Sequence, residues 1–188
     1  MDYYKVLYDY GKSDNWVNCE EVLIGGLSEY SVYEGRQIYK EDAIVLKYDS
    51  REGDIVSDYI ANMLRWPVIS ERAYSLIMRI INEEYVQFLP ATLVDSAGIK
   101  QDSMCYVVNV LDVMDGIIDM NKSEYNVFKA KNKEVIAFVK HVLDVKESEH
   151  HTLFRAGEDI VSLFVSEEIK RIVEDNGLSG FDFISVTE

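Results

Sequence analysis

The sequence is poor in residues that staple small folds together. It has two cysteines, Cys19 and Cys105. That is too few for a secreted disulfide framework or a cysteine zinc site, and both read as reduced, buried small hydrophobes. Proline is equally scarce, with only Pro67 and Pro90. No Pro/Ser-rich or low-complexity stretch divides the chain. The expectation is one domain over residues 1–188, with residues 1–60 as a looser β-rich amino-terminal part. No apolar run approaches the roughly 20 residues that cross a bilayer. The opening Met1-Asp2-Tyr3-Tyr4-Lys5 lacks the basic-then-apolar pattern of a signal peptide, so a cytoplasmic protein is expected. Positive charge is the last shortage: 19 Lys+Arg face 34 Asp+Glu, a net charge of −15. This argues against nucleic acid, whose phosphates need clustered Lys and Arg, and against docking on anionic membranes. It leaves a basic protein partner, since opposite charge speeds encounter.

What is present describes a globular chain. Hydrophobic residues make up 48% of the 188 positions. A chain of this length buries roughly 70% of its unfolded surface and needs no metal or disulfide to hold it. The pattern predicts an α+β fold, with mixed or antiparallel sheets and a few amphipathic helices. Residues 3–8, 30–33 and 43–48 are β-branched or aromatic runs bounded by turn formers, and read as strands. Residues 58–64 read as a short helix ending before Trp66-Pro67, because a residue preceding proline avoids the α region. Ser70 is a good N-cap, with Glu71 in the first turn. Ala73, Leu76, Ile77, Ile80 and Ile81 then form one apolar stripe. Residues 86–94, 104–111, 152–154, 160–165 and 181–186 read as strands. Residues 135–145 fit a helix by period and a strand by β-branched content. A second Ser-capped helix starts at Ser166 and stops at Asn176-Gly177.

Two of these segments echo each other. Pro67-Val68-Ile69-Ser70-Glu71, a helix and Val86-Gln87-Phe88 parallel Leu163-Phe164-Val165-Ser166-Glu167, a helix and Phe181-Asp182-Phe183. Two copies do not make a solenoid, and an α+β protein reuses such a unit readily.

No catalytic motif emerges. There is no Gly-x-Ser-x-Gly elbow, phosphate loop, dinucleotide glycine fingerprint or His-Glu-x-x-His. Glu147, Glu149, His150 and His151 cluster near His141, but adjacent histidines point to opposite sides of a strand, so a surface turn is the better reading. A Cys105–His141 pair is disfavoured because Cys105 lies in the apolar run Met104-Cys105-Tyr106-Val107-Val108. No cofactor, metal or catalytic residue is expected.

Acidic clustering is the most distinctive feature. Residues 101–128 carry Asp102, Asp112, Asp115, Asp119 and Glu124 against the single base Lys122. Asp112, Asp115 and Asp119 are spaced so that a helical turn would set them on one face. With Glu124 they are the candidate partner-binding residues, read as a patch for a basic protein, as a solvated face, or as a divalent cation site that lacks the loop spacing of an EF-hand. Thirteen tyrosines and two tryptophans add candidate interface anchors. Two alternatives share this composition: an acidic adaptor or regulatory subunit of a cytoplasmic complex, and a small hydrolase using carboxylates and histidines.

Several segments, taken in order, resemble a known bacterial family. They are Pro67-Val68-Ile69-Ser70-Glu71 leading into a helix, Val86-Gln87-Phe88-Leu89-Pro90, and Tyr106-Val107-Val108-Asn109-Val110-Leu111. Asp119, Ser123-Glu124-Tyr125 and Leu153-Phe154-Arg155 follow, then Val165-Ser166-Glu167 with its helix and Ser179-Gly180-Phe181-Asp182-Phe183. The family is the eleventh of the polymorphic-toxin immunity proteins, formerly a domain of unknown function. The resemblance covers the carboxy-terminal two thirds. It implies a single α+β domain without catalytic residues that binds and blocks a cognate toxin domain. It names a role without naming a site. A basic toxin acting in the cytoplasm fits the charge.

Overall fold

A computed structural model of the chain describes residues 2–11, 13, 15–39, 43–130, 133–144 and 151–187. In chain order the elements are β1 (Tyr3–Tyr8), β2 (Asn18–Leu23), β3 (Ile44–Tyr48), β4 (Ala61–Asn62), β5 (Val68–Ser70), α1 (Glu71–Ile77), β6 (Val86–Asp95), β7 (Cys105–Val110), β8 (Val113–Met114), β9 (Glu124–Ala130), β10 (Lys133–Lys140), β11 (Leu153–Ala156), β12 (Asp159–Ser166), α2 (Glu167–Asp175) and β13 (Phe181–Ser185). One sheet runs β13-β1-β12-β11-β8 and a second β4-β2-β3-β6-β7-β5, while β9 and β10 pair with each other alone. The fold is α+β, and its sheets are mixed and antiparallel: β3 and β6 run parallel, whereas β1 is antiparallel to both its neighbours. No helix among the described residues is long and apolar enough to cross a membrane.

Successive strand residues face opposite ways, and this explains the unbroken apolar runs. Leu153 and Leu163 join a core shared with both helices, alongside Val6, Ile69, Ala73, Ile77, Val108, Ile169 and Val173. Phe154 and Phe164 face the other way, onto Tyr3, Ile117, Ile118 and Leu143. Burying each of these phenylalanines contributes roughly 1.5–3 kcal/mol. A third cluster fills the far side of the six-stranded sheet around Val17, Cys19, Leu46, Trp66 and Val107. Residues 3–48 thus supply strands to both large sheets.

The sequence echo has a structural counterpart. In one copy β5 and β6 flank β7, with α1 between them in sequence; in the other β12 and β13 flank β1, with α2 between them. Each unit is a split β-α-β whose central strand is antiparallel to both neighbours. The two helices meet, and Arg72 of α1 donates to the Asn176 carbonyl just after α2.

Three local expectations need correction, and one left open is resolved. Residues 58–64 form no helix. Asn62 donates to the carbonyls of Ile60 and Trp66 and accepts from the Trp66 amide. Such local side-chain bonding competes with a helix, and the segment becomes the short edge strand β4. Residues 30–33 are not a strand but a 3-10 turn at Ser31–Tyr33, shaped by Ser28 and Ser31 hydroxyls that accept from nearby amides. Helix α1 ends at Ile77, short of the predicted stripe, yet Ile80 and Ile81 still pack on the shared core through the turn that follows. The ambiguous stretch is strand over Lys133–Lys140, the β-branched content having prevailed; Val145 lies outside the described residues.

Candidate functional site

The pair β9–β10 is a ribbon that touches neither large sheet through strand pairing. Its register sets Val135 opposite Phe128, Ile136 opposite Val127 and Phe138 opposite Tyr125. Val127, Ile136 and Tyr125 therefore share one face, and Phe128 and Val135 the other. Apolar side chains are exposed on both faces: Val127 at 51%, Phe128 at 56%, Val135 at 48% and Val139 at 69%. A two-stranded hairpin is marginally stable alone, and an uncovered apolar ribbon with free edges invites a partner.

The ribbon has a firm root. Ser123 Oγ accepts from the Val142 amide at 2.9 Å, and the Asp119 amide donates to the Val142 carbonyl at 2.9 Å. Phe138 stacks on His141 at 4.8 Å between centroids, and His141 meets Phe164 edge-on at 5.4 Å. His141 Nε2 lies 2.8 Å from Asp159 Oδ2, and Ser162 Oγ donates to that same oxygen at 2.6 Å. Burial raises the Asp159 pKa, but the hydrogen bonds from His141 and Ser162, with the charges of His141 and Lys5, outweigh it and hold the carboxyl at about 2. Its folded value lies below the roughly 3.9 of an unfolded aspartate. The stabilisation is therefore full above that unfolded value and is lost as pH falls from about 4 towards 2. After discounting for partial solvent exposure it amounts to about 1–2 kcal/mol. Asp159→Asn is expected to flatten the acid limb of a plot of urea midpoint against pH over that window.

The four acidic candidates are dispersed. No helix forms over 112–119, because β8 (Val113–Met114) and the positive-φ Gly116 lie between them, so Asp112, Asp115 and Asp119 do not share a helical face. Asp112 is turned inward, its Oδ2 2.6 Å from His151 Nδ1. Asp119 Oδ1 accepts from the Asn121 amide at 2.9 Å, and its Oδ2 lies 3.8 Å from Lys122 Nζ, both within the turn that leads into the ribbon. Asp115 is exposed beside the β11–β12 turn. Glu124 is exposed at the first position of β9. The structure thus brings Asp119 and Glu124 to the ribbon root and leaves Asp112 and Asp115 flanking β8.

The disfavoured chemical pairings are also placed. Cys105 belongs to the core of the six-stranded sheet, where burial pushes its thiol up to about 12, while His141 belongs to the cluster around Phe164. Glu147, Glu149 and His150 lie outside the described residues. In the sequence, residues 135–145 stood open between helix and strand and the first strand of the ribbon was not read, although its signal was present. Tyr125, Val127 and Phe128 on one side and Val135, Ile136 and Phe138 on the other carry strand-forming residues. Charges at Lys129, Lys131, Lys133 and Glu134 interrupt that pattern.

The segments that carried the family resemblance fall on the frame: β5 with its cap, β6, β7, the ribbon root, β11, the start of α2 and β13. Compared with known families, residues 10–188 match the model of an immunity protein family (Imm11). The comparison with curated proteins finds no match.

Proposed function

The chain belongs to the immunity protein family (Imm11), and from that premise we propose that it binds and neutralises a cognate bacterial toxin by direct contact, as a single domain acting in the cytoplasm. The observation that carries the site is the β9–β10 ribbon, exposed and apolar on both faces. The toxin seats on this ribbon. Aromatic and aliphatic side chains supply the desolvated centre of such a contact, and charged residues its rim. The toxin is basic, complementing the net charge of −15. Glu124 and Asp115 meet it at the rim, while Asp112 and Asp119 add to the attracting field without direct contact, since long-range steering does not require exposure of every charge. Family membership points to a non-enzymatic role, and the proposal assigns no catalytic residue.

The test uses a toxin domain captured on this chain from the cells that make it and then purified. The expected result is inhibition of that toxin at one-to-one stoichiometry, with an association rate that falls about tenfold or more as salt rises from low to physiological. No complex at any salt would sink the proposal. A tight complex whose association ignores salt would remove the basic-toxin part alone.

A further inference from the structure

Arg155 is buried without a carboxylate. It sits in β11 where the pairing with β12 slips between Phe154 and Ala156, and it has no exposed surface. Nη1 donates to the Ile160 and Val161 carbonyls at 2.8 and 2.9 Å, and the guanidinium stands 4.9 Å from the centre of the Tyr33 ring. Nε and Nη2 are buried and have no hydrogen-bond partner among the described residues. The nearby acid, Asp159, is already engaged by His141 and Ser162. Burial pulls the guanidinium down to about 10, which still leaves it charged at neutral pH. The Asp159 charge acts on Arg155 without a hydrogen bond to it, and a buried guanidinium with no carboxylate in direct contact is costly, so the arrangement favours a further anion.

Arg155 lines a cavity of about 420 Å³ between β1, the segment 59–67 and β12. Lys5 and Arg65 line it too, and none of the described residues that line it is Asp or Glu. In a chain with 34 acids and 19 bases, that exclusion is opposite to the overall composition. Arg65 is held at φ +55°, the only described non-glycine residue with a positive φ. Strained backbone of this kind tends to persist at ligand clamps. Part of the remaining wall is aromatic, where Tyr8 and Tyr10 meet edge-on at 4.7 Å and Trp66 adds a third ring, and much of the rest is aliphatic, including Val6, Ile60 and Leu163. The volume falls within the usual range for a small-molecule site.

We infer that this cavity binds a small organic anion, a carboxylate or phosphate group carried on an aromatic body. The anionic group lies between Lys5 and Arg65 at the mouth and offsets the charge of Arg155 across the cavity wall, and the ring lies against Tyr8 and Tyr10. This goes beyond the toxin-binding reading and does not depend on it.

The test needs only this chain. Benzoate and phenyl phosphate are titrated at constant ionic strength, with benzyl alcohol and benzylamine as neutral and cationic controls of similar size. The anions are expected to raise the Tm by several degrees at about 10 mM and to saturate in calorimetry, and the controls to do neither. Arg155→Met is expected to remain folded by circular dichroism and to lose the response. Lys5→Met, at the mouth, should weaken binding about tenfold, and it carries the test if Arg155→Met does not fold. An anion response equal to that of the controls, one retained in Arg155→Met, or an affinity unchanged in Lys5→Met overturns the proposal. So does a result in which the free anions fail while Arg155→Met abolishes toxin binding, since the occupant is then an acidic side chain of the partner.

Discussion

Replacing Phe128 with Glu and Val135 with Lys together is expected to lower toxin affinity at least 100-fold while leaving the Tm within about 2 °C. The two residues are a cross-strand pair on one face of the ribbon, and both are close to half exposed. Truncating a central anchor of an interface costs about 2–4 kcal/mol, which is about 30- to 1000-fold in affinity. Opposite charges at facing positions keep the hairpin paired, so the loss is read at the interface and not in the fold. Ile99, another exposed apolar residue outside the ribbon, serves as the control: Ile99→Ser should leave affinity unchanged. Calorimetric Kd values for the three proteins decide it. An affinity within threefold of the parent in the double variant places the toxin elsewhere on the molecule.

Asp58→Ala is expected to be the most destabilising single change, at about 3–5 kcal/mol. Asp58 Oδ1 accepts from Ser70 Oγ at 2.7 Å. Its Oδ2 accepts from Arg72 Nη1 at 3.0 Å, the Ser179 amide at 2.9 Å and Ser179 Oγ at 3.2 Å. The side chain is only 9% exposed. One carboxylate thus ties the cap of α1 to the turn before β13, joining the two echoing β-α-β units. Removing it leaves the Ser179 amide and the Ser70 hydroxyl without that acceptor in a part-buried site. For a chain of this size the Tm should fall by roughly 6–20 °C. Asp58→Asn, which keeps one acceptor oxygen, should fall less. Glu167→Ala, which breaks the exposed pair with Arg171, should move the Tm by no more than about 1–2 °C. A thermal melt of the three variants ranks them. A loss no larger for Asp58→Ala than for Glu167→Ala would mean that other contacts join the units.

The parts of this fold that were legible in the sequence are those with local causes. Ser70 was readable as a cap because the cap is a contact three residues long, its hydroxyl accepting from the Ala73 amide at 3.1 Å. Ser166 was readable for a less direct reason. Its hydroxyl makes no cap bond and is buried without a partner among the described residues. The helix begins there because β12 ends there and Glu167 and Glu168 favour its first turn. What escaped the sequence depends on distant partners. The carboxylate of Asp58 reaches Ser179, 121 residues away, and nothing near residue 58 announces it. The acids at 112, 115 and 119 were well spaced for a helix, but the pairing of β8 with β11 claims the backbone between them. The unpaired state of Arg155 is invisible without the cavity, because a lone arginine in an apolar run reads equally well as a surface residue.

The position of β1 sets a schedule for the chain's own maturation. Tyr3 pairs with Ser166 and Tyr4 with Ser185, so β1, second from the edge of the five-stranded sheet, gains both neighbours only when residues 159–185 have been made. At bacterial synthesis rates that wait is roughly 10–35 s, during which the first strand leaves the ribosome with two open edges. A copy made only as far as residue 158 therefore has neither neighbour of β1, and its five-stranded sheet closes only after the last of these strands has emerged.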